Sequence, residues 1–274
     1  MVGRPNVGKS TLINRILGTK VSITSHSPNT TRARVRGVLD RPDVQAVFVD
    51  TPGIHKPRTA LGERLNDTAA AAMDDVDVCI LVVDANGEIG PGDRNVAGLS
   101  PRDTIVAVNK IDRASPATLL ARLESAHREL EIPGAEYFPV SARTGAGVDE
   151  LVEHALERLP PGPRYYPPGM VTDVPEAFFV AELVREQLLR HAREELPHSI
   201  ACRVTEWDWP RVRCEILVER ESQKGIVIGR GGSTLKAVGI AAREQMEPGM
   251  YLELFVKVEK DWQRRTDVIE RLGY

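Results

Sequence analysis

The sequence predicts a two-domain α/β protein: a doubly wound sheet of mostly parallel strands, followed by a smaller α+β domain. Three observations carry that expectation. Up to residue 159, short apolar runs alternate with amphipathic helical stretches, as in a sheet covered by helices on both faces. Residues 160–175 read PPGPRYYPPGMVTDVP and hold six of the chain's 19 prolines. Neither a helix nor a central strand runs through so many residues that lack a donor. Beyond that stretch the order changes to α–β–β–α–α–β with a helical tail. We therefore place a first domain at 1–160, a linker at 161–179 and a second domain at 180–274.

In the first domain the expected strands are Val44–Asp50, Val76–Asp84, Thr104–Asn109 and Tyr137–Ser141. The middle two are almost unbroken in Val and Ile, which suits parallel strands buried on both faces. Leu12, Ile13, Ile16 and Leu17 form a helical stripe closed by Gly18, and Ala117–Leu130 and Val148–Leu159 have similar spacing. In the second domain we expect helices at Phe178–Leu196, Ser233–Glu247 and Asp261–Leu272. Strands are expected at Ser199–Glu206, Arg211–Glu221 and Tyr251–Val258, with a glycine-rich turn after the second of them.

Composition narrows the function. The 274 residues are 42% hydrophobic and 27% charged, enough to build ordinary cores and too apolar for wholesale disorder. No apolar run approaches the roughly 20 residues of a membrane span. No apolar stretch precedes the first motif, so no signal peptide is expected. Cys79, Cys202 and Cys214 are far apart and form no C-x-x-C pair, which argues for a reducing, cytosolic setting without structural zinc or disulfides. A net charge of −3 excludes a uniformly basic coat for nucleic acid, though not a local basic site.

The chemistry is written in short motifs. Gly3-Arg4-Pro5-Asn6-Val7-Gly8-Lys9-Ser10 fits G-x-x-x-x-G-K-[ST]. Such a loop closes backbone N–H groups around phosphate oxygens at the positive end of a helix. Lys9 would reach the β/γ-phosphates and the Ser10 hydroxyl would bind Mg²⁺. Asp50-Thr51-Pro52-Gly53 is D-x-x-G at a strand end, with Asp50 for Mg²⁺ and the Gly53 N–H for a γ-phosphate. Asn109-Lys110-Ile111-Asp112 is N-K-x-D; the Asp112 carboxylate can accept from guanine N1–H and the 2-amino group, donors that adenine lacks in that arrangement. Together, in this order, the three motifs predict a guanine-nucleotide site. Ser141-Ala142 follows the next strand and offers the Ala142 N–H to guanine O6. Thr30 and Thr31 are candidates to complete the Mg²⁺ shell. We assign transition-state contacts to Lys9, Thr31 and Gly53. Ile54 stands where many GTPases carry a water-orienting Gln, so slow hydrolysis is expected. Asn6 is a candidate carbonyl ligand for a monovalent cation.

The second domain carries Gly229-Arg230-Gly231-Gly232, a G-x-x-G after the apolar Ile226-Val227-Ile228. In KH domains such a loop clamps about four nucleotides along the backbone. Arg230, Lys224 and Lys236 supply positive charge. From Ala181 onward the chain has 16 Lys+Arg and 16 Asp+Glu, so RNA binding must rest on a groove and base contacts more than on bulk charge. Trp207, Trp209 and Trp262 are either base-stacking or packing residues.

With GRPNVGKS, TTR, DTPG, NKID, SAR and VIGRGG in order, the chain resembles the bacterial Era GTPases over nearly its whole length. Lys56-Pro57-Arg58, Leu61-Gly62-Glu63, Gly90-Pro91-Gly92-Asp93, Arg164-Tyr165-Tyr166-Pro167 and Glu221-Ser222-Gln223-Lys224-Gly225 add to the likeness. The resemblance implies a P-loop GTPase sheet and a type II KH domain, GTP and GDP with Mg²⁺, slow hydrolysis, and a monomer. It further implies a grip on the 3′ end of 16S ribosomal RNA in assembly of the 30S subunit. For some members it implies a peripheral place on the inner face of the cell membrane. Related GTPases with a phosphate-loop Asn use K⁺, which motivates the Asn6 assignment. The family's apolar residue after DTPG matches Ile54. The alternative is an RNA adaptor that binds nucleotide with little turnover; a GTPase for RNA modification fits less well. The chain departs from the family at its start. A phosphate loop should follow a central strand of about five or six residues, and only Met1 and Val2 precede Gly3. The first strand is thus expected to be truncated, leaving a gap in the sheet, with the natural start upstream.

Overall fold

The computed structural model describes residues 1–191 and 199–274. It divides into two compact units, the first made of residues 1–22, 31–57 and 62–173, the second of residues 23–30, 58–61 and 174–274.

In the first unit β1 (Val35–Asp40) and β2 (Gln45–Asp50) form an antiparallel hairpin. Strands β3 (Ile80–Asp84), β4 (Ile105–Asn109) and β5 (Glu136–Val140) form a parallel sheet in that order. Every residue of β3 and β4 except Asp84 is buried. Leu81, Val83, Val106 and Val108 share a core with Ala69, Met73, Val96, Ala97, Ala126 and Leu130. Their alternates along the pleat, Ile80, Val82, Ile105 and Ala107, are equally buried on the opposite face. The helices are α1 (Lys9–Leu17), α2 (Ala60–Asp74), α3 (Pro91–Leu99), α4 (Pro116–Leu130) and α5 (Val148–Glu157). Gly18 ends α1 at a φ of 65°, and the Ser115 side chain caps α4 by accepting from the Thr118 N–H. Strand β1 and helices α2 and α3 add to the expected elements. The sequence of β1, VRGVLD, carries Arg and Gly in its middle and depends on its pairing with β2.

The expected gap at the first strand is narrower than the sequence suggests. Val2 forms a parallel bridge with Leu81, donating to the Ile80 carbonyl and accepting from the Val82 N–H, both at 2.9 Å. Met1 donates to the Val49 carbonyl at 2.7 Å. Two residues therefore connect to both neighbours and bury Val2 in the core.

The proline-rich segment is stapled to the β1–β2 hairpin as far as residue 173. Arg164 pairs with Asp40 and donates to the Arg41 and Pro42 carbonyls at 2.7 and 2.6 Å. Gln45 Oε1 accepts from the N–H groups of Tyr165 and Tyr166, each at 2.9 Å.

In the second unit the elements are α6 (Glu176–His191), β6 (Ala201–Asp208), β7 (Arg211–Val218), α7 (Glu221–Ile228), α8 (Ser233–Arg243), β8 (Tyr251–Val258) and α9 (Thr266–Arg271). Strand β7 is central, antiparallel to β6 and parallel to β8. The last five residues of the expected helix Phe178–Leu196 lie outside the described residues. Residues 221–228 are helical, where the sequence suggested the end of a strand and an apolar segment. Gln223 Oε1 accepts from the Glu219 and Arg220 N–H groups at 2.9 and 3.0 Å, a capping arrangement that starts α7. The segment 23–30 packs within this unit. Ile23 joins Leu183 and Leu189, Thr24 donates to Glu186 Oε1 at 2.9 Å, and the buried Arg185 pairs with Glu182 and donates to the Thr30 carbonyl.

The expected helix Asp261–Leu272 is broken into a short 3₁₀ turn, Trp262–Arg264, and α9. Trp262 is fully buried and its indole N–H donates to the Ser199 carbonyl at 2.9 Å, so it packs the core and is not available to stack a base. Trp262→Phe should lower stability by about 1–3 kcal/mol, since the buried carbonyl loses its donor; urea unfolding measures this.

Candidate functional site

The register of the parallel sheet assembles the site. Asp84 pairs with Asn109, and Asn109 with Val140, so the carboxyl ends of β3, β4 and β5 lie level. Open α/β sheets bind ligands at this edge. The phosphate loop, residues 3–10, enters α1 there, with Gly8 at its N-cap at a φ of 103°. A Cβ at Gly8 would come 2.3 Å from Asn109 Nδ2, so glycine alone lets the loop close on β4. Lys9 is buried and its Nζ donates to the Gly3 and Arg4 carbonyls, each at 3.1 Å. Burial pushes its ammonium down to about 8, with Asp50 opposing the shift.

Ser10, Thr31 and Asp50 come together. Ser10 Oγ and Thr31 Oγ1 lie 2.9 Å apart, and Asp50 Oδ2 accepts from Thr31 Oγ1 at 3.1 Å. Ser22, which no motif marks, donates to the same oxygen at 2.6 Å. Asp50 Oδ1 is buried with no hydrogen-bond partner. A buried anionic oxygen left so is costly, and a carboxylate beside two hydroxyls suits a hard cation such as Mg²⁺. Thr30 belongs elsewhere: its hydroxyl contacts Ser25 and the Ser27 carbonyl. Thr51 Oγ1 donates to the Met1 carbonyl at 2.7 Å. Pro52 is buried. Gly53 lies so close to the phosphate loop that a Cβ would be 2.6 Å from the Pro5 nitrogen. Ile54 donates its N–H to the Gly3 carbonyl at 3.3 Å and sends its side chain into the sheet core.

The residues expected to read the base form one network. Asn109 Nδ2 donates to the Val7 carbonyl at 2.9 Å, while Asn109 Oδ1 accepts from the Lys110 N–H at 2.8 Å and the Ala142 N–H at 2.9 Å. Asp112 Oδ1 accepts from Ser141 Oγ at 2.7 Å, and Arg143 Nε lies 3.6 Å from Asp112 Oδ2. Ile111 packs against the core. Lys110 Nζ donates to the Asn6 carbonyl at 2.6 Å and to Asp84 Oδ2 at 2.7 Å. Burial raises the Asp84 carboxyl, but Lys110 and Asn86 outweigh it and hold the group below its usual range. Sequence reasoning missed Asp84, whose only mark is its place at a strand end. It also missed the clamp between Arg4 and Asp93, 3.0 Å, although Asp93 lies in the GPGD string.

In the second unit Gly229 ends α7 at φ 74° and ψ 172°, a conformation reserved for glycine, and Gly231 and Gly232 have φ 59° and 78°. Arg230 and Lys236 are exposed, and Lys224 lies 3.8 Å from Glu221. Ile226 on α7 and Ile240 on α8, absent from the sequence-based set, are exposed large apolar residues on the two helices that flank this loop.

A family model described as 50S ribosome-binding GTPase matches residues 1–110, and a KH domain model matches residues 195–263. The chain is 48% identical to GTPase Era of Mycobacterium sp. (strain KMS), covering all of this chain and 96% of the relative. It is 47% identical to GTPase Era of Mycobacterium tuberculosis, covering 100% and 97%. This chain belongs to the GTPase Era family. Among solved structures, Era in complex with MgGDPNP and nucleotides 1506–1542 of 16S ribosomal RNA matches at a TM-score of 0.94 and 40% identity, covering 100% of this chain and 96% of that one. An Aquifex aeolicus Era variant bound to GDP·AlF4⁻ matches at 0.93 and 39%, covering 100% and 97%. The Era fold, a P-loop GTPase domain followed by a KH domain, is the one the sequence predicts.

Lys9 makes stability depend on pH. Its folded value of about 8 lies below the ordinary 10.5, so between these values the unfolded chain binds more protons and stability rises with pH. Lys9→Met should flatten that rise, measured by urea unfolding of nucleotide-stripped protein from pH 7 to 10.5.

Proposed function

We propose that this Era-family chain binds GTP and GDP with Mg²⁺, hydrolyses GTP slowly, and binds 16S ribosomal RNA near its 3′ end to assist rRNA processing and 30S subunit assembly. The observation that carries the nucleotide reading is the meeting, at one sheet edge, of a buried lysine, a carboxylate oxygen without a partner, and the Asn109–Asp112 base-reading loop. Era proteins crystallised with a magnesium GTP analogue and an rRNA fragment, and with GDP·AlF4⁻, support carrying the function over.

In this reading residues 3–8, Pro5 excepted, wrap the phosphates with their N–H groups, and Lys9 leaves its carbonyl partners to pair with the β/γ-oxygens. Ser10, Thr31 and Asp50 would hold Mg²⁺, which would supply charge to neutralise the phosphates. Thr31 and Gly53 contact the γ-phosphoryl, and positive charge aimed at the transferring group lowers the barrier. Asp112 accepts from the guanine edge, and the Ala142 N–H shares its donation between Asn109 Oδ1 and O6. Asn6, whose backbone carbonyl is held by Lys110, offers its side-chain oxygen to K⁺. Ile54 contributes packing and no hydrogen bond to water, which keeps turnover slow. The glycine loop 229–232 approaches the RNA backbone, Lys224, Arg230 and Lys236 supply charge, and Ile226 and Ile240 offer apolar surface to bases. No helix among the described residues is long and apolar enough to cross a membrane. Independently of that, we assign the working form to the cytoplasm as a monomer, with any association at the inner membrane face peripheral.

Phosphate release under multiple turnover, in K⁺ and in Na⁺, tests the enzymatic part. Slow turnover that is faster in K⁺ is expected. Equal rates in the two salts remove the role of Asn6, and absence of turnover with GDP binding intact leaves the RNA adaptor. Gly231→Asp tests the RNA loop. A Cβ there meets nothing within 4 Å, and Asp tolerates left-handed φ better than most residues. Affinity for the rRNA 3′ fragment should fall about tenfold or more through repulsion from phosphate, with GDP affinity unchanged; unaltered RNA binding would displace the groove.

A further inference from the structure

The loop that follows β5 is held from behind by a residue outside every motif. Arg15 lies in the last turn of α1. Its Nε donates to the Ala142 carbonyl at 3.2 Å and its Nη2 donates to the next carbonyl, that of Arg143. A guanidinium presents its donors in a rigid fork, so two consecutive carbonyls fix both the position and the orientation of the loop. Gly145, at a φ of 93°, turns the chain around the arginine stem; a Cβ there would lie 3.8 Å from Arg15 Cδ. From the front, the Ala142 N–H donates to Asn109 Oδ1 at 2.9 Å. Residue 142 is therefore gripped through its carbonyl by the helix that leaves the phosphate loop, and through its N–H by the end of β4.

We propose that Arg15 is a positioning residue for recognition of the purine 6-oxo group. It holds the Ala142 N–H where O6 arrives to share it with Asn109 Oδ1, and it ties the base-reading loop to the helix that begins at Lys9. This rests on the guanine-site reading above, with Ala142 as the O6 donor. Arg15 acts only through the loop and touches none of residues 3–10. The loop also contacts Asp112 through Ser141 and Arg143. Asp112, however, reads the N1–H and 2-amino donors, so a change there weakens alike every ligand that carries both donors. Only the Ala142 hydrogen bond senses the 6-oxo group.

The test compares GDP with 6-thioguanosine 5′-diphosphate, which keeps the N1–H and 2-amino donors and replaces only O6 by a weaker acceptor. Affinities are measured by competition for wild type, Arg15→Met and Arg15→Lys. Wild type should prefer GDP about tenfold, the scale of one hydrogen bond. Arg15→Met should bind GDP about tenfold more weakly and show a preference below about threefold, with Arg15→Lys, which lacks the fork, in between. The preference is a ratio within one variant, so a fraction of inactive protein does not distort it. If Arg15→Met loses affinity for both ligands equally and keeps the wild-type ratio, or loses none, the positioning role is overturned. If wild type itself shows no preference, the Ala142 assignment fails and the proposal falls with it.

Discussion

The carboxamide of Asn109 ties together three loops from distant parts of the chain. Its nitrogen holds the Val7 carbonyl of the phosphate loop, and its oxygen takes the N–H groups of Lys110 and Ala142. Because Asn109 ends a fully buried strand, the carboxamide is anchored to the buried sheet of the first unit. The phosphate loop and the loops that follow β4 and β5 are thereby held together by one side chain, and the level strand ends that place it follow from the register of the parallel sheet. Removing the carboxamide would leave a buried carbonyl and two N–H groups to find other partners, a cost each loop would meet by moving.

Around that anchor the site concentrates buried charge. Lys9 and Asp50 are both withdrawn from water, a state that is stable only when opposite charge or hydrogen-bond partners are near. Lys9 has two carbonyls, and Asp50 has hydroxyls on one oxygen alone. The pair is therefore better matched to a polyphosphate and a divalent cation than to each other. This imbalance, a conflict with the rule that buried polar groups are satisfied, is typical of functional sites.

The nucleotide motifs were legible because their chemistry is local. Glycines at fixed positions permit close backbone approach, and D-x-x-G and N-K-x-D each end a strand whose apolar run is unmistakable. The threonine pair was legible only as a pair: the fold alone separates Thr31, beside Ser10 and Asp50, from Thr30, beside Ser25 and Ser27. Ser22, Asp84, Asp93 and Arg15 could not be read, since each acts through a contact that exists only after distant segments pack. Helix α7 was obscured by Gly225 and by Ile226-Val227-Ile228, residues that suit strands; its start depends on the Gln223 cap. Strand β1 is weakly patterned and follows from pairing with β2. Two residues ahead of Gly3 looked too few to matter, yet Val2 has a partner on each of its backbone groups.

The depressed ammonium of Lys9 reaches beyond folding. A polyphosphate arriving beside Nζ supplies the negative charge that burial withholds, and the ammonium returns toward its ordinary range. Above pH 8 or so, where part of the population has lost that proton, ligand and proton must therefore enter together. Nucleotide affinity in alkaline medium becomes a property of the phosphate end of the site, falling with pH for any phosphorylated ligand whatever its base. On the reading proposed above, Asn109, Asp112 and Ala142 choose the base and take no part in the Lys9 proton exchange, so tightness and choice of ligand are set at opposite ends of the site.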